Sequence, residues 1–432
     1  MRTLSELYQA LEDGALDDCL RTLACLGVEE RPTIQRARTA RVARAFQETF
    51  GRDDRTEAAM LSAPGRTEIG GNHTDHQHGR VLAAAVDVDL LACAAPNGTH
   101  TIRFQSEGWP LVEVDLSDRS PRPEEKESTA ALIRGMAARA AQLGYVPAGF
   151  DAYVVSDVLP GSGLSSSAAC EVLIGNILNV LFCRQELSPV TIAQMGQYAE
   201  NVYFGKPSGL MDQMASSVGG AVAIDFADPS APVVEPRKVD LAAEGYALCI
   251  IDSGADHIDL TAEYAAIPGE MRAVAAFFGK EVLREVPEDA FLAHIPELRA
   301  AAGDRAVLRA LHFFEEDRRA AAESAALAAG DFQSFLELVR SSGRSSWVYL
   351  QNVSPAGTVR EQPVAVALAA AELALGGRGA FRVHGGGFAG TIQAFVPLDL
   401  LETFRHRVEA VLGEGRCHVM SIRPVGGAVL WA

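Results

Sequence analysis

Apolar positions recur at helical spacing through the first fifty residues. Leu4, Leu7, Leu11, Leu20, Leu23, Val42, Ala45 and Phe46 mark core-facing stripes between charged positions, which predicts two or three leading helices. The pattern then changes. From Glu68 to Val114, β-branched and apolar clusters at 81–88, 90–95, 101–104 and 111–114, separated by Gly, Asn and Pro, predict strands joined by short turns. Helical spacing resumes over 128–143, a strand is expected at 150–155, and a helix at 166–181, where Val172, Leu173, Ile177, Leu178 and Leu181 can bury one or two faces. A second unit is expected near Gly245, where 247–251 reads as a buried strand after the Pro-punctuated stretch 228–236. Ala- and Leu-rich helices at 305–327 and 331–339 and strands at 391–396 and 428–431 follow; no internal repeat is present.

Between the 150–155 strand and the 166–181 helix the pattern breaks. Leu159-Pro160-Gly161-Ser162-Gly163-Leu164-Ser165-Ser166-Ser167-Ala168-Ala169 packs chain breakers and hydroxyls directly ahead of a helix start. A glycine-rich loop there leaves several backbone amides unpaired and aims them, with the positive end of the helix dipole, at one point where an anion can sit. The segment therefore reads as a phosphate cradle. It is not a Walker-type loop, because the chain has no Gly-x-x-x-x-Gly-Lys-Ser/Thr sequence.

Bulk properties narrow the partners. A chain of 432 residues can fill two domains, and a formal net charge of -18 repels nucleic acid and anionic membrane surfaces. Seven cysteines, odd in number and widely spread, suit reduced thiols better than a disulfide framework. Residues 1–12 lack the basic-then-apolar layout of a signal peptide, and the apolar run 81–96 is short and interrupted by Asp87 and Asp89. A cytoplasmic location is the expectation.

Two further glycine-rich segments stand far from the first in sequence. One is Ala63-Pro64-Gly65-Arg66-Thr67-Glu68-Ile69-Gly70-Gly71-Asn72-His73-Thr74-Asp75-His76, running on to Gly79; the other is Val383-His384-Gly385-Gly386-Gly387-Phe388-Ala389-Gly390. With the phosphate loop between them, they resemble the three signatures of the GHMP small-molecule kinases, and the first resembles the galactokinase signature in particular. Gly205-Lys206-Pro207-Ser208-Gly209-Leu210-Met211-Asp212-Gln213 is similar to the family segment around its catalytic aspartate, and Gly379-Ala380-Phe381-Arg382 leads into the third signature.

The resemblance implies an α+β, two-domain GHMP kinase fold: a ribosomal protein S5 domain 2-like N-terminal domain and a ferredoxin-like C-terminal domain, with the active site in the cleft between them. The expected divisions are 1–30, a helical extension; 31–242, carrying the sugar signature and the ATP phosphate loop; and 243–432. The implied activity is ATP-dependent phosphorylation of the anomeric hydroxyl of galactose to give galactose 1-phosphate and ADP, with Mg²⁺. Sugar and ATP are the implied partners, without nucleic acid or membrane, on a monomer or weak homodimer. A kinase for galacturonate, L-arabinose or an amino sugar shares every catalytic residue, and a non-catalytic sugar sensor is the rival from another class; such sensors typically have a damaged phosphate loop, and this one is complete.

Residue roles carry over one by one. Arg66 and Asp212 are the implied catalytic pair, with Asp212 either a base or an orienter of the hydroxyl, since a neighbouring arginine typically lowers a carboxyl pKa by about 1 to 3 units; a salt bridge tying two segments together is the plain alternative. Asn72, His73, Asp75, His76, Gly209 and Tyr264 are implied at the sugar, with core packing the alternative for Tyr264. Pro160, Gly161, Ser162, Gly163, Leu164, Ser165, Ser166, Ser167 and Ala168 are implied at ATP, and Gly385, Gly386 and Gly387 near the transferred phosphate unless they only form a tight turn. Ser167 and Glu200 are the implied Mg²⁺ ligands. Helix capping by Ser165 or Ser166, and a solvated surface role for Glu200, compete with that reading. His73, Asp75, His76 and His78 also invite a metal reading, which their spacing argues against.

Two positions depart from the family pattern. Galactokinases usually have glutamate where this chain has Asn72 and tyrosine where it has His76, which leaves recognition at C6 open to galactose, a C6 carboxylate or a pentose. Residues 1–26 form an added helical cap or interaction element with no catalytic constellation.

Overall fold

The computed structural model describes residues 1–158, 163–206, 208–255 and 260–432. Among these residues the strands form two sheets. The first takes β1 (Arg2–Thr3), β2 (Glu57–Gly70), β3 (Arg80–Pro96), β4 (Thr101–Ser106), β5 (Val112–Asp115), β6 (Phe150–Ser156), β7 (Ala221–Asp225) and β8 (Val233–Arg237). Its spine runs β1-β2-β3-β6-β4-β5, with β7 also on β3 and β8 on β7; only the β4–β6 pair is parallel. The second sheet is antiparallel, in the order β10-β11-β9-β12, from β9 (Tyr246–Ala255), β10 (Ala380–Val383), β11 (Gly390–Pro397) and β12 (Cys417–Met420). The last strand, β13 (Ala428–Trp431), leaves that sheet and pairs antiparallel with β2 in the first.

β2 and β3 are buried on both faces, and their alternate residues serve different cores. Ala59, Leu61 and Ala63 of β2 and Leu90, Ala92 and Ala94 of β3 face the main core; Ala58 and Met60, with Leu91, Cys93 and Ala95, face the opposite side. That opposite side is covered by the leading helices α1 (Leu4–Asp13), α2 (Asp17–Leu23) and α3 (Thr33–Phe50), through Leu4, Leu7, Leu11, Leu20, Leu23, Val42 and Phe46. The leader is thus part of the core. Thr3 starts α1 with a capping box, its hydroxyl accepting from the Glu6 amide while Glu6 accepts from the Thr3 amide at 2.8 Å.

The main core is closed by α4 (Thr129–Gln142), α5 (Ser166–Leu181) and α6 (Pro189–Tyr198), while α7 (Met211–Val218) packs on β3 and β7 through Met211, Met214 and Ala215. After β9 come α8 (Thr261–Phe277), α9 (Glu288–Ala293), α10 (Ile295–Ala302), the long α11 (Asp304–Ala329) and α12 (Phe332–Ser345). Phe335, Leu336 and Val339 of α12 join Leu248, Ile250 and Phe395 of the second sheet to the main core, so the two sheets share one apolar contact. α13 (Pro363–Leu375) and α14 (Leu401–Leu412) cover that sheet's other face. All seven cysteines are free, and no helix among the described residues is long and apolar enough to cross a membrane.

Candidate active site

Arg66 lies on β2 just after a register shift at Gly65, where the strand's amide edge turns from its neighbour toward the end of the glycine loop; the Arg66 amide donates to Leu164 O at 3.0 Å. The side chain is nearly buried, and its Nε and Nη2 donate to Asp212 Oδ1 and Oδ2 at 2.7 and 2.6 Å, a bidentate pair across 146 residues of sequence. Nη1 donates to Gly163 O. Gly163 has a φ of +71°, and a Cβ there would stand 2.5 Å from Thr391 Oγ1 and 2.9 Å from His384 Nδ1. Only glycine fits, and the contact brings all three glycine-rich segments together.

Asp212 is in the first turn of α7. Burial pulls its carboxyl pKa up, but Arg66, aided by Lys206 and the Ser165 hydroxyl, outweighs burial and holds it below the usual carboxylate range. Ser165 Oγ donates to Asp212 Oδ2 at 2.8 Å instead of capping α5, and Ser165 itself adopts a left-handed backbone with φ of +57°. α5 accordingly begins without a side-chain cap, unlike α1, α4, α6 and α12, which carry Thr3, Ser128, Ser188 and Asp331. Its first amides have no side-chain acceptor among the described residues, so an anion can take them. Ser166 and Ser167 open the helix and Ala168 is buried in it, while Leu164 is in the core; Pro160, Gly161 and Ser162 lie outside the described residues.

A cleft of about 540 Å³ opens beside the Arg66–Asp212 pair, lined among others by His73, Asp75, His76, Gly209, Tyr264 and Arg272. Burial, reinforced by Asp212 nearby, pushes the Asp75 carboxyl up to about 6. Gly209 packs directly against it, and a Cβ there would displace the Asp75 carboxylate. Burial lowers His73 to about 4, and His76 is likewise held neutral by burial. A single hydrogen-bond direction satisfies both rings: Gln77 Nε2 donates to His76 Nδ1 at 3.3 Å, His76 Nε2 to His73 Nδ1 at 3.3 Å, and His73 Nε2 to Gly386 O at 3.0 Å. Tyr264 donates its hydroxyl to Gly387 O at 2.8 Å, and its ring abuts Gly386 and meets Phe388 edge-on.

Asn72, expected at the sugar, points away from the cleft. It is fully buried, and its amide donates to Glu68 Oε1 at 2.8 Å and Gly385 O at 2.7 Å and accepts from Asn352 Nδ2 at 2.9 Å and Ser346 Oγ at 3.3 Å. All four hydrogen-bonding positions are used, which is why the side chain turns inward. Gly385, Gly386 and Gly387 give their carbonyls to Asn72, to His73 and Asn352, and to Tyr264, while Gly385 and Gly386 also line the cleft.

Several residues here escape the sequence reading. Glu316 of α11, fully buried, accepts from the Gly71 and Asn72 amides at 3.1 and 3.3 Å and from Ser342 Oγ at 2.6 Å, and pairs with Arg319. Burial opposes its charge, yet Arg319 and His312 bring its carboxyl down to about 2. His312 Nε2 meets Asn72 O at 2.9 Å. Glu68 forms a buried ion pair with Arg382 and is pushed up to about 7 by its burial. Glu68 and Arg382 lie inside quoted segments; Glu316 and His312 carry no local signal beyond being polar in a helical stripe.

Ser167 Oγ donates to Glu200 Oε1 at 3.3 Å, and Glu200, on the turn Ala199–Phe204, is almost fully buried. Gln213 Nε2 bridges Glu200 Oε2 and Glu171 Oε2 at 2.9 Å each. A hydroxyl and a carboxylate oxygen converging beside the phosphate loop are hard donors that fit Mg²⁺, which takes one or two carboxylates and leaves its other positions to phosphate and water. Among the described residues, no group of three or more His, Cys, Asp or Glu is placed to hold a metal ion.

Known proteins resemble the chain in sequence and fold. Residues 131–220 match the family model for the GHMP kinases N terminal domain, and residues 44–96 the galactokinase galactose-binding signature. The chain is similar to Lactococcus lactis galactokinase complexed with galactose, at 25% identity and a TM-score of 0.78 over 91% of this chain and 99% of that one. At the level of fold it also resembles a putative sugar kinase from Campylobacter jejuni (16% identity, TM-score 0.59, 87% of this chain and 99% of that one). L. major mevalonate kinase in complex with R-mevalonate is a third (14% identity, TM-score 0.56, 86% and 97%). Both signatures fall on the strands and helices that converge at Arg66 and Asp212: the chain carries a match to the GHMP kinases N terminal domain and to the galactokinase galactose-binding signature, and is galactokinase-like in sequence and fold.

Proposed function

We propose that the chain is a sugar 1-kinase, a galactokinase that moves the γ-phosphoryl group of ATP to the anomeric hydroxyl of galactose. The observation that carries this reading is the bidentate Arg66–Asp212 pair, set between the uncapped start of α5 and a cleft holding Asp75. ATP phosphates sit on the α5 amides and the Ser165–Ser167 hydroxyls. Ser167 and Glu200 would hold Mg²⁺, which would supply positive charge against the nucleotide phosphates. Asp75 accepts from two sugar hydroxyls, the role its two carboxylate oxygens suit.

In the transfer, a bond forms between the acceptor oxygen and the γ-phosphorus while the bond to the β–γ bridging oxygen breaks, and ADP leaves. The acceptor proton passes to Asp212. Because Arg66 lowers the basicity of Asp212, the carboxylate first orients the hydroxyl and takes the proton late, which a loose transition state permits. Arg66 meanwhile places positive charge beside the transferring group.

One observation favours a related sugar as a second reading: the Asn72 side chain is withdrawn from the cleft, so the glutamate usual at that position has no counterpart at the sugar. An ADP-release assay over galactose, galactosamine, galacturonate, arabinose and glucose tests both. Galactose should give the highest kcat/KM. A different preferred sugar overturns the galactose assignment, and no turnover with any of them overturns the kinase.

A further inference from the structure

Lys206 has no step of its own in the transfer described above beyond helping to hold Asp212 ionised, yet it touches the implied Mg²⁺ ligand Glu200. Its amide donates to Glu200 O at 3.1 Å, which fixes the turn ahead of α7, and its ammonium lies 3.1 Å from Glu200 Oε1. That is the same oxygen that accepts from Ser167 at 3.3 Å. The Glu200 side chain is 3% exposed and that of Lys206 57%, so the ammonium meets a buried carboxylate from the solvent side. The other Glu200 oxygen is held by Gln213, the residue after Asp212, and Asp212 is held by Arg66 and Ser165.

These contacts set up a competition. A divalent cation between Ser167 and Glu200 would share Glu200 Oε1 with the ammonium, and two cations on one oxygen repel. The tail of ATP brings more negative charge than one divalent ion cancels. A lysine, unlike an arginine, carries its charge as a compact point on a flexible stem, suited to exchanging one anion for another nearby.

We propose that Lys206 is a further catalytic residue: without nucleotide its ammonium neutralises Glu200, and when ATP binds it moves onto the β and γ phosphate oxygens, freeing Glu200 for the divalent ion. This rests on the phosphoryl-transfer reading for its place in turnover but not for the exchange of partners.

The test uses the full chain with Lys206→Met and Lys206→Arg. Lys206→Met should lower kcat/KM for ATP by about 10- to 100-fold with KM for the sugar within about threefold, as expected for losing one charge-assisted contact to phosphate. In EDTA, calorimetric titration with ATP alone should show about tenfold weaker binding by Lys206→Met and recovery of most of it by Lys206→Arg. Thermal melting checks that both variants fold. If Lys206→Met binds metal-free ATP and turns over within about threefold of the parent, the proposal is wrong; equal loss of sugar and ATP affinity also overturns it. Should the parent phosphorylate no sugar, the kinase reading falls while the EDTA titration still decides the fate of Lys206.

Discussion

Charge is used in opposite ways on the two sides of the turn at residues 71–79. On the cleft side, Asp212, Asp75 and Lys206 are partly exposed, and each has hydrogen-bonding capacity beyond its partners in the fold. Behind the turn, Glu316, His312 and Asn72 are fully buried and their polar atoms are spent on Gly71, Asn72, Ser342, Ser345, Ser346, Asn352 and Arg319. Polar residues of the same kinds are therefore left free for chemistry on one side and hold geometry on the other. Spare valence distinguishes them, since a fully satisfied buried network rigidifies and has nothing left to offer a ligand.

The largest effect should come from the cleft side. Asp212→Asn is expected to cut kcat by roughly 10²- to 10⁴-fold with little change in the melting temperature, read by steady-state kinetics alongside thermal unfolding; turnover within a few-fold of the parent would remove the catalytic distinction. Behind the turn the order reverses. Glu316→Ala strips the acceptor from two buried amides and leaves Arg319 only its longer pair with the more exposed Glu315, so it should cost about 3–5 kcal/mol in denaturant unfolding, with Glu316→Gln costing less because it keeps an acceptor. A stable Glu316→Ala protein with kcat lost would place Glu316 among the chemical groups.

Leu7 gives a reference outside both regions. It is fully buried under the leading helices, and Leu7→Ala should destabilise by about 2–5 kcal/mol while leaving KM for sugar and ATP unchanged. An altered KM would tie the leader to the site. The smallest effect is in pH. Because burial raises Asp75 to about 6, protonation below that value removes its acceptor character, so kcat/KM for the sugar should fall as pH drops through about 6. The profile of Asp75→Asn, lower throughout, should lose that step; an unchanged step would assign it to another group.

The helix at 166–181 is legible to the residue because both its breakers and its apolar stripe are local. β2 is not: Pro64, Gly65 and Gly70 read as loop, and the segment becomes a strand only because β3 and β13 pair with it. β3 reads as two strands, 81–88 and 90–95, but it runs unbroken from Arg80 to Pro96. Asp89 accepts from Arg38 at 2.6 Å and Arg423 at 3.1 Å, and Asp87 from the Ser421 amide at 3.0 Å, partners up to 334 residues away. At the site, Arg66, Asp212, His73, Asp75, Gly209, Tyr264, Ser167 and Glu200 are legible through short signatures, and the structure gathers them around one cleft and its adjoining phosphate loop. Asn72 shows the limit, since a signature names a position without giving the direction of its side chain.

By itself the sequence determined the local periods, the glycine loop ahead of a helix and the identity of the groups that can carry phosphate and sugar chemistry. Those follow from near-neighbour sterics and from which atoms each side chain owns. Only the tertiary structure decided that the leader is core, that the final strand returns to the first sheet, and which polar residues keep a free valence. That last distinction depends on contacts between residues hundreds of positions apart, because a buried polar group takes whatever partners the packed chain supplies before it can serve a ligand.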